Sequence, residues 1–440
     1  MNSKWKLSLF APSALLLALA STASTGCSST KADASDAGGG GSNPPSGADA
    51  GGGQGEGQDD GGGGGGGSDA GDGGSTSTTL TLVDCKANTT DVKCPTTLSS
   101  DARIGKGPRL NLGRTQGGYV EGTKLVVALD LDDNLDDKSL IASVDLVTGE
   151  RKALSGKYED PANGEVTIGS GPSLYLPYGI VKVEGGIVVA SSGPDGTISL
   201  LKVDPATGNR TALWSSDAGG RLSCGKLPSK ALISVSHEVG VAAGPSGEFY
   251  LGMEYPNDSF TLEGIARIKP DKTCEVVTLS RKVGGSSPND VGTGPALYSN
   301  LRGNTFSNGA VWLITNDEYS LFRVDGAGKR TRVSSSYGAT QVGDGDAEMG
   351  RSSFALDGTS NVAWTVGATN TGSLFITSVD LTNGNRTDRM ATGSYGPVKG
   401  TSGGNPFVWT IPGSPYLVIE HGEATMVFDP ATGNSNVVSY

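Results

Sequence analysis

The stretch that decides the fold is Val203-Asp204-Pro205-Ala206-Thr207-Gly208-Asn209-Arg210-Thr211, near the middle of the 440-residue chain. An apolar run ends at the aspartate, an Asp-Pro-x-x-Gly segment follows, and a second alternating run begins at the asparagine. Aspartate, proline and glycine each favour a tight turn, because each suits a backbone conformation that other residues resist. The stretch therefore predicts a β-hairpin.

The same hairpin recurs along the chain. Clear copies begin at Val144, Val379 and Phe428, and weaker copies begin at Ile268 and Val324. The aligned positions follow one another at a fairly regular spacing and are 145, 204, 269, 325, 380 and 429. A period of about 50 residues is typical of arrays and propellers.

Each copy is surrounded by further short apolar runs separated by turn residues. In the second copy these runs predict four strands, over 179–183, 187–192, 197–204 and 209–216. The same pattern predicts strand pairs over 310–316 with 319–325, 361–367 with 373–380, and 416–422 with 424–429. No segment after Cys27 shows a sustained apolar stripe at helical spacing.

A single four-stranded sheet cannot bury both of its faces, whereas sheets stacked in a ring cover one another. We therefore predict an all-β fold over residues 80–440, a six-bladed β-propeller of four-stranded antiparallel blades. Seven blades are the alternative, with residues 80–110 supplying part of the extra blade.

The repeats resemble the broad six-bladed superfamily that includes NHL-repeat proteins, the gluconolactonase group and TolB-like domains. The resemblance covers roughly residues 110–440 and rests on Gly-Ile-Val at 179–181, Gly-Gly-Ile-Val-Val-Ala at 185–190 and the turn stretch. It implies an architecture rather than an activity. For the gluconolactonase group it also implies a divalent metal at the channel mouth, but those ligand positions cannot be matched residue by residue here.

The segment 1–27 has the features of an export signal. Two lysines precede an apolar run from Leu7 to Ala20, which is the pattern of a secretory signal peptide. The run leads into Ser24-Thr25-Gly26-Cys27, which resembles the lipobox of bacterial lipoproteins, although leucine is usual where Ser24 stands. We predict a signal peptide over 1–27 with lipidation (palmitate) at Cys27. Cleavage after Ala20 is the alternative.

Residues 28–79 differ from the rest in composition, with 20 glycines and eight acids against one lysine. Such a segment buries too little apolar surface to offset its ordering entropy, so we predict a disordered linker. Its root-mean-square reach is about 40 Å. We expect a monomer, lipid-anchored to a bacterial membrane, preferably the outer one, with the propeller in the periplasm or at the cell surface. The lipid is the only expected membrane contact.

The remaining cysteines suit an exported, disulfide-bonded protein. Cys85 and Cys94 are nine residues apart, Cys224 lies in a connection before the third unit, and Cys274 starts the fourth strand of that unit. These positions favour the pairs Cys85–Cys94 and Cys224–Cys274, although four cysteines allow three pairings. Zinc ligation is the alternative.

The net charge of −12 argues against a nucleic-acid partner, because a phosphate binder needs clustered lysine and arginine. Long connections at 156–178, 217–237, 281–300 and 336–352 are predicted to share one face. Three of them carry similar glycine-rich stretches, at 169–172, 292–295 and 343–346. Long loops in a compact domain are often functional. Packing between blades is the alternative for these connections.

Several polar residues are candidates for a site on this face. The residues Asp130, Asp132, Asn134 and Asp136 place oxygen ligands at alternate positions, which suits Ca²⁺. The EF-hand pattern is not met, because Leu135 stands where glycine is needed, and a solvated turn is the alternative. His237 beside Glu238 is a candidate base, with a structural histidine as the alternative. Further binding candidates are Asn257, Asp258, Asp317, Glu318 and His421.

The leading functional hypothesis is a tethered propeller without catalytic activity that binds a protein, a peptide or a glycan through its loop-rich face. The alternative is a metal-dependent lactonase-like hydrolase or a lyase, with its site at the channel mouth. No cofactor is assured, and Ca²⁺ or another divalent metal is the candidate. The identity of the ligand is not encoded in any motif of this chain.

Overall fold

The structure is a computed structural model, and the residues that it describes lie within 80–440. The predicted signal peptide and linker, residues 1–79, lie outside the described residues and stay predictions. The described ranges are 80–94, 104–108, 115–131, 138–217, 219, 224, 240–257, 260–281, 291–297, 301–315, 319–336, 341–345, 348–350, 352–368, 374–389, 405–422 and 424–439.

The chain folds as a six-bladed β-propeller in which each blade is one antiparallel sheet with its strands in sequence order. The first blade contains β1 (Thr115–Glu121), β2 (Lys124–Asp130), β3 (Ser139–Asp145), β4 (Arg151–Asp160) and β5 (Gly164–Ile168). The second contains β6 (Pro177–Val183), β7 (Gly186–Ser192), β8 (Ile198–Val203) and β9 (Arg210–Ser215). The third contains β10 (Val241–Ala243), β11 (Phe249–Asn257), β12 (Phe260–Ile268) and β13 (Cys274–Arg281).

The fourth blade contains β14 (Leu301–Ser307), β15 (Ala310–Thr315), β16 (Ser320–Asp325) and β17 (Arg330–Ser335). The fifth contains β18 (Ser353–Asp357), β19 (Val362–Ala368), β20 (Leu374–Asp380) and β21 (Arg386–Asp388). The sixth contains β22 (Phe407–Thr410), β23 (Leu417–His421), β24 (Ala424–Asp429) and β25 (Asn434–Ser439). The first strand of each blade is innermost.

The predicted hairpins are confirmed, and the turn chemistry explains them. The Asp204 carboxylate accepts hydrogen bonds from the Ala206 amide at 2.9 Å and from the Thr207 hydroxyl at 2.7 Å. These bonds lower the pKa of Asp204. Gly208 completes the turn with a φ of +74°, a conformation that strongly favours glycine. The sixth blade repeats the arrangement around Asp429.

The core is divided among the six interfaces between facing blades, which we call seams 1–2, 2–3, 3–4, 4–5, 5–6 and 6–1. Side chains along β2 alternate between two of them, as a period of two requires. Leu125, Val127 and Leu129 pack in seam 6–1 with residues of the sixth blade, whereas Val126 and Ala128 pack in seam 1–2. Both faces of a blade are therefore buried, which explains why β2 is apolar without interruption from Leu125 to Leu129.

The ring closes between the first and sixth blades without exchange of a strand, as each of these sheets is continuous in sequence. Residues 80–94 lie alongside β25 instead. The Val83 amide donates to Asn436 Oδ1 at 2.6 Å, and the Val437 amide donates to the Lys93 carbonyl at 2.9 Å. A seventh blade built partly from residues 80–110 is therefore wrong, because the described part of that segment contains no strand. Residues 80–94 pack on the sixth blade, and residues 104–108 pack on the first.

A β-bulge in the fourth strand recurs in the first, third, fourth and sixth blades and aims a hydroxyl at the next blade. These hydroxyls belong to Ser155, Thr278, Ser334 and Ser439, and each contacts a buried arginine that begins the fourth strand of the following blade. We call these the seam arginines: Arg210, Arg330, Arg386 and Arg151, in the same order. The arginine of the repeated turn stretch is therefore a contact between blades.

The glycine-rich stretches of the connections pack against the same turns. A side chain on Gly169 would meet the Gly208 carbonyl oxygen at 1.9 Å, and one on Gly171 would meet the Arg210 carbonyl oxygen at 2.0 Å. The stretches at 292–294 and 343–345 meet the following blades in the same way. The interpretation of these stretches as packing between blades is therefore confirmed.

Seam 2–3 uses different chemistry at the same positions. The residue that begins β13 is Cys274, which forms a disulfide with Cys224 of the preceding connection, and the residue after the bulge of β9 is Trp214 instead of a serine or threonine. Cys85 and Cys94 form the second disulfide. Both predicted pairs are confirmed, and zinc ligation by these cysteines is wrong.

One prediction about the first blade was incomplete. Part of the connection 156–178, expected to be a loop, extends β4 to Asp160 and adds a fifth strand, β5. The turn between them is Asp160-Pro161-Ala162-Asn163-Gly164, and its aspartate accepts from the amide of Ala162 at 2.8 Å. The Asp-Pro-Ala-x-Gly signal of the other hairpins was present in this segment at the same length.

Candidate functional site

The candidate site is a central cavity of about 460 Å³ on the axis of the propeller. Innermost strands of all six blades contribute to it. Its lining includes Gln116, Tyr119, Ile180, Val181, Val241, Ala243, Asn304, Thr305, Phe306, Ser307, Ser353, Phe354, Leu356, Phe407, Trp409, Thr410 and Pro412. The volume lies within the range of pockets that hold small molecules.

The lining carries no charged side chain and no histidine among the described residues. Its polar groups are amides and hydroxyls, chiefly those of Gln116, Asn304, Thr305, Ser307 and Thr410. In addition, each innermost strand pairs with only one described neighbour, so its other edge leaves backbone N–H and C=O groups toward the axis. The cavity therefore offers hydrogen bonds without net charge.

Aromatic rings cover part of the wall. The rings of Phe407 and Trp409 stack with centroids 5.7 Å apart, and Trp409 Nε1 donates to the Gly118 carbonyl at 2.8 Å across seam 6–1. This bond fixes the orientation of the indole. The ring of Phe306 stacks on the ring of Tyr250 in the third blade with centroids 5.3 Å apart, and this contact fixes the orientation of the Phe306 ring. Tyr119 and Phe354 complete the aromatic set.

The Tyr119 phenol is a donor at any physiological pH. Burial raises the pKa of Tyr119 to about 12, and the nearby Glu121 carboxylate adds to this effect. The neutral hydroxyl can donate one hydrogen bond to a ligand in the cavity and accept another from it.

In the first three blades, glycines near the start of the innermost strands leave room for the central cavity. A side chain on Gly179 would meet the Cα of Gly240 at 2.4 Å, so the innermost strands of the second and third blades approach too closely for any other residue. Gly117 and Gly179 are related in the same way, at 3.1 Å. The fifth and sixth blades instead contribute Phe354, Phe407 and Trp409 to the wall. The wall is therefore uneven, with glycine backbone chiefly in the first three blades and most of the rings in the others.

The cavity extends toward the turns that join the first and second strands of the blades, because Gly358 and Pro412 of these turns belong to its lining. Near this opening Lys182 Nζ and Glu121 Oε1 form an exposed ion pair at 2.5 Å. The sequence instead predicts a site on the other face, among the long connections. Much of that face lies outside the described residues, so its candidates stay predictions.

Most of the candidate residues from the sequence lie outside the described residues and stay predictions. Asp130 ends β2 at half-buried exposure, whereas Asp132, Asn134 and Asp136 lie outside the described residues. His237, Glu238, Asp258, Asp317 and Glu318 also lie outside them, and Asn257 is described only as the last residue of β11. His421 ends β23 and is buried, and burial lowers its pKa. The described residues contain no group of three side chains suited to hold a metal ion.

The neighbour of His421 is an unusual buried acid. Glu420 is 1 % exposed, and neither of its carboxyl oxygens has a partner at good hydrogen-bonding geometry among the described residues. Burial raises the pKa of Glu420 to about 8, an effect that the Thr115 hydroxyl of the first blade partly offsets. The acid is therefore neutral at physiological pH and belongs to the inner part of seam 6–1, not to the cavity lining.

Sequence reasoning missed the cavity lining, because it concentrated on charged residues in loops. The available signal was modest: glycine pairs at the start of the innermost strands and the Phe-x-Trp sequence of β22. Neither pattern identifies a cavity until the six strands are placed around one axis.

Comparison with known proteins assigns no activity to this chain. No protein family model matches the chain, and no curated protein matches it. The domain is a six-bladed β-propeller. A solved structure of unknown function from Bacteroides thetaiotaomicron matches with a TM-score of 0.43 and 10% identity, over 80% of this chain and 73% of that one.

A putative 6-phosphogluconolactonase from Bacteroides uniformis matches with a TM-score of 0.40 and 15% identity, over 76% of this chain and 86% of that one. Streptogramin B lyase matches with a TM-score of 0.41 and 14% identity, over 77% and 86%. At this level of identity the likeness concerns the fold and carries no activity to this chain.

A search of the described residues for a helix long and apolar enough to span a membrane finds none.

Proposed function

We propose that this protein is a binding lipoprotein without catalytic activity, and that its ligand is a small neutral glycan held in the central cavity. The observation that carries the proposal is the composition of the wall, which combines aromatic rings, amides, hydroxyls and free backbone edges with no charged side chain. A sugar has the matching chemistry, because its hydroxyls need hydrogen bonds and its C–H face packs on aromatic rings.

The charge of the site supports a neutral ligand over an ionic one. Burial of an unpaired charge in such a wall costs far more than burial of a hydroxyl with a hydrogen-bond partner. A protein or peptide ligand, which the sequence also allowed, would have to enter the axis as an uncharged segment. The alternative, a metal-dependent hydrolase or lyase, would need acidic side chains that converge on the axis.

The location belongs to the same proposal. Export by the segment 1–27, lipidation at Cys27 and the linker 28–79 would place the propeller at a membrane surface, free to meet soluble ligands. Cys27→Ser is expected to abolish incorporation of labelled palmitate and to release the protein from the membrane fraction. Unchanged membrane association of this variant would remove the anchor from the proposal.

Tryptophan fluorescence tests the ligand. Titration of the purified protein with a panel of neutral oligosaccharides is expected to change the emission of Trp409, and Trp409→Phe is expected to remove that change. Phe407→Ala should weaken binding by about tenfold, as loss of an aromatic contact typically does. Trp364→Phe is the matched control, because this tryptophan lies under Arg389 in the fifth blade and outside the cavity lining.

Two outcomes would contradict the proposal. Binding that survives both Trp409→Phe and Phe407→Ala would place the ligand elsewhere. A stoichiometric divalent metal in the purified protein, together with turnover of lactone substrates that a chelator abolishes, would favour the enzyme.

A further inference from the structure

The central cavity occupies the same stretch of the innermost strand in every blade. The strand pairing, counted from the repeated turn of each blade, aligns the six innermost strands on one another. At the level where the lining begins, the first four blades each place a glycine, and the last two place a serine and a phenylalanine. In blade order these residues are Gly117, Gly179, Gly240, Gly303, Ser353 and Phe407.

The innermost strands lie close together at this level, because four of the six residues are glycines. A side chain on Gly117 would meet the Cα of Gly179 at 3.1 Å, and one on Gly179 would meet the Cα of Gly240 at 2.4 Å. One on Gly240 would meet the Cα of Gly303 at 3.9 Å, and one on Gly303 would meet the ring of Phe354 at 3.6 Å. These contacts run from the first blade to the fifth, so this level is the narrow end of the cavity.

Burial changes along the innermost strands between the narrow end and the turns. Thr115, Tyr178 and Leu301 precede the glycines of their strands and are buried. At the other end of the strands Glu121 is exposed and Ser307 is half-buried. The lining of the cavity contains no described residue of the long connections on the opposite face. Solvent therefore reaches the cavity from the turns that join the first and second strands, which form its mouth.

The chemistry of the wall changes in the same direction. The amides of Gln116 and Asn304 lie within one residue of the glycine level, whereas the rings of Tyr119, Phe306 and Trp409 lie two or three residues nearer to the mouth. An amide side chain contains both a donor and an acceptor. The last unit of a glycan chain carries a free hydroxyl where an internal unit carries a glycosidic bond. The narrow end is therefore suited to the end of a chain.

We propose that the central cavity is a blind pocket that takes the terminal unit of a neutral glycan chain, which enters through the mouth. The inference rests on the proposed function, since it specifies which part of a glycan the same cavity holds. The next units of the chain leave the cavity past the turns, where Lys182 and Glu121 form their exposed ion pair. A chain whose two ends are both obstructed cannot enter such a pocket.

Capped oligosaccharides test the requirement for a free end in the intact protein. Each chain of the neutral panel is prepared with a bulky cap at its reducing end, at its other end, or at both. One of the two singly capped forms is expected to bind as tightly as the uncapped chain, and the doubly capped form should not bind. Equal affinity of doubly capped and uncapped chains would overturn the blind pocket and leave the proposed function intact.

Acrylamide, a small neutral quencher of tryptophan fluorescence, tests the shape of the pocket without a glycan. Its access to Trp409 is the difference in quenching between the wild-type protein and Trp409→Phe. Ser307→Phe places a ring at the mouth and should reduce both this access and glycan binding. Thr410→Phe is a second mouth variant, so that a folding defect in one does not decide the result. Ser173→Phe, at an exposed position of a connection on the opposite face, is the matched control and should change neither.

The two measurements separate the possible failures. Quenching of Trp409 that is the same in both mouth variants as in the wild-type protein would show a second entrance and overturn the proposal. Quenching that falls in the mouth variants, with no oligosaccharide of the panel bound by the wild-type protein, would support the blind pocket and contradict the proposed glycan ligand.

Discussion

Seam 2–3 and seam 3–4 solve one structural problem with different chemistry. In both, the first residue of the outermost strand must be joined to the connection that precedes its blade. Arg330 does this in seam 3–4 through hydrogen bonds to the carbonyls of Pro295 and Val291 and to the hydroxyl of Thr278. Cys274 does it in seam 2–3 through one covalent bond to Cys224.

The partner residue changes together with the joining residue. Where the joint is an arginine, the bulge of the preceding blade presents a serine or threonine that accepts its hydrogen bond. Where the joint is a disulfide, the bulge presents Trp214, which packs with Cys224 and Cys274 in an apolar cluster. The same position therefore joins the blades in both seams, by hydrogen bonds beside a polar bulge residue and by a disulfide beside an apolar one.

The largest expected effect is loss of the covalent joint. Cys224→Ser with Cys274→Ser opens a loop of 50 residues and should lower the free energy of unfolding by roughly 4 kcal/mol by the chain-entropy relation. The pair Cys85→Ser with Cys94→Ser, with a separation of nine, should cost roughly 2.5 kcal/mol. Urea unfolding measures both. A larger loss from the short loop would show that the joint in seam 2–3 is dispensable.

Removal of the non-covalent joint should have a somewhat smaller effect. Arg330→Ala leaves several buried acceptors unpaired and should cost about 3 kcal/mol, with Arg330→Lys intermediate because a lysine cannot reproduce the fork. Lys329→Ala, an exposed neighbour in the same turn, is the control. If both alanine variants unfold at the same urea concentration, the arginine is not a joint.

The closing seam, 6–1, carries the third prediction, since Glu420 lies in its inner part. The folded protein holds the proton of the Glu420 carboxyl more tightly than the unfolded chain does, because burial raises the pKa of this group. The stabilising contribution is therefore complete below the ordinary pKa of 4.5 and is lost as the pH rises through about 8. Glu420→Gln should remove this loss, which we expect to be on the order of 2 kcal/mol because the seam can relax around the charge.

Unfolding of the two proteins at about pH 5 and about pH 9 measures this difference. His421 is present in both and cancels in the comparison. Glu184→Gln, at an exposed turn of the second blade, should leave the pH dependence of the wild-type protein intact. Parallel profiles for wild type and Glu420→Gln would show that the carboxyl reaches solvent.

The smallest effect is expected at the outer part of the same seam. Ser439 Oγ accepts from Nη1 of Arg151 at 3.3 Å, so Ser439→Ala should cost about 1 kcal/mol, the net value of one hydrogen bond. Ser246→Ala, in an exposed turn, is the control. A zero effect would indicate that this hydrogen bond does not contribute to closure of the ring.

Much of the architecture was predictable because it depends on local signals that repeat. Each Asp-to-Gly turn is determined by a side chain that bonds its own backbone, so its position can be counted along the sequence. The number and positions of the cysteines identified both disulfides. The sequence reasoning had a gap in the connections. It overlooked Gly105-Lys106-Gly107-Pro108, a fourth copy of the glycine-rich stretch, which packs on Gly149 and Arg151 as the other copies pack on their turns.

The candidate sites were less predictable, because they depend on residues that are distant in sequence. Trp409 lies beside Gly118 at the axis only after the chain between them has closed the ring. Arg210, Arg330 and Arg386 appear identical in the repeat, and the connection that each one contacts becomes visible only when the blades are packed together.

By itself, the sequence determined the hairpins, their number and the all-β class, since turn chemistry and a period of two act over short segments. The tertiary structure alone decided which connection each arginine contacts, where the central cavity lies and which acids are buried. Those properties arise where two blades meet, and the meeting surfaces come from segments one repeat apart in the sequence or, at the closing seam, from the two ends of the domain.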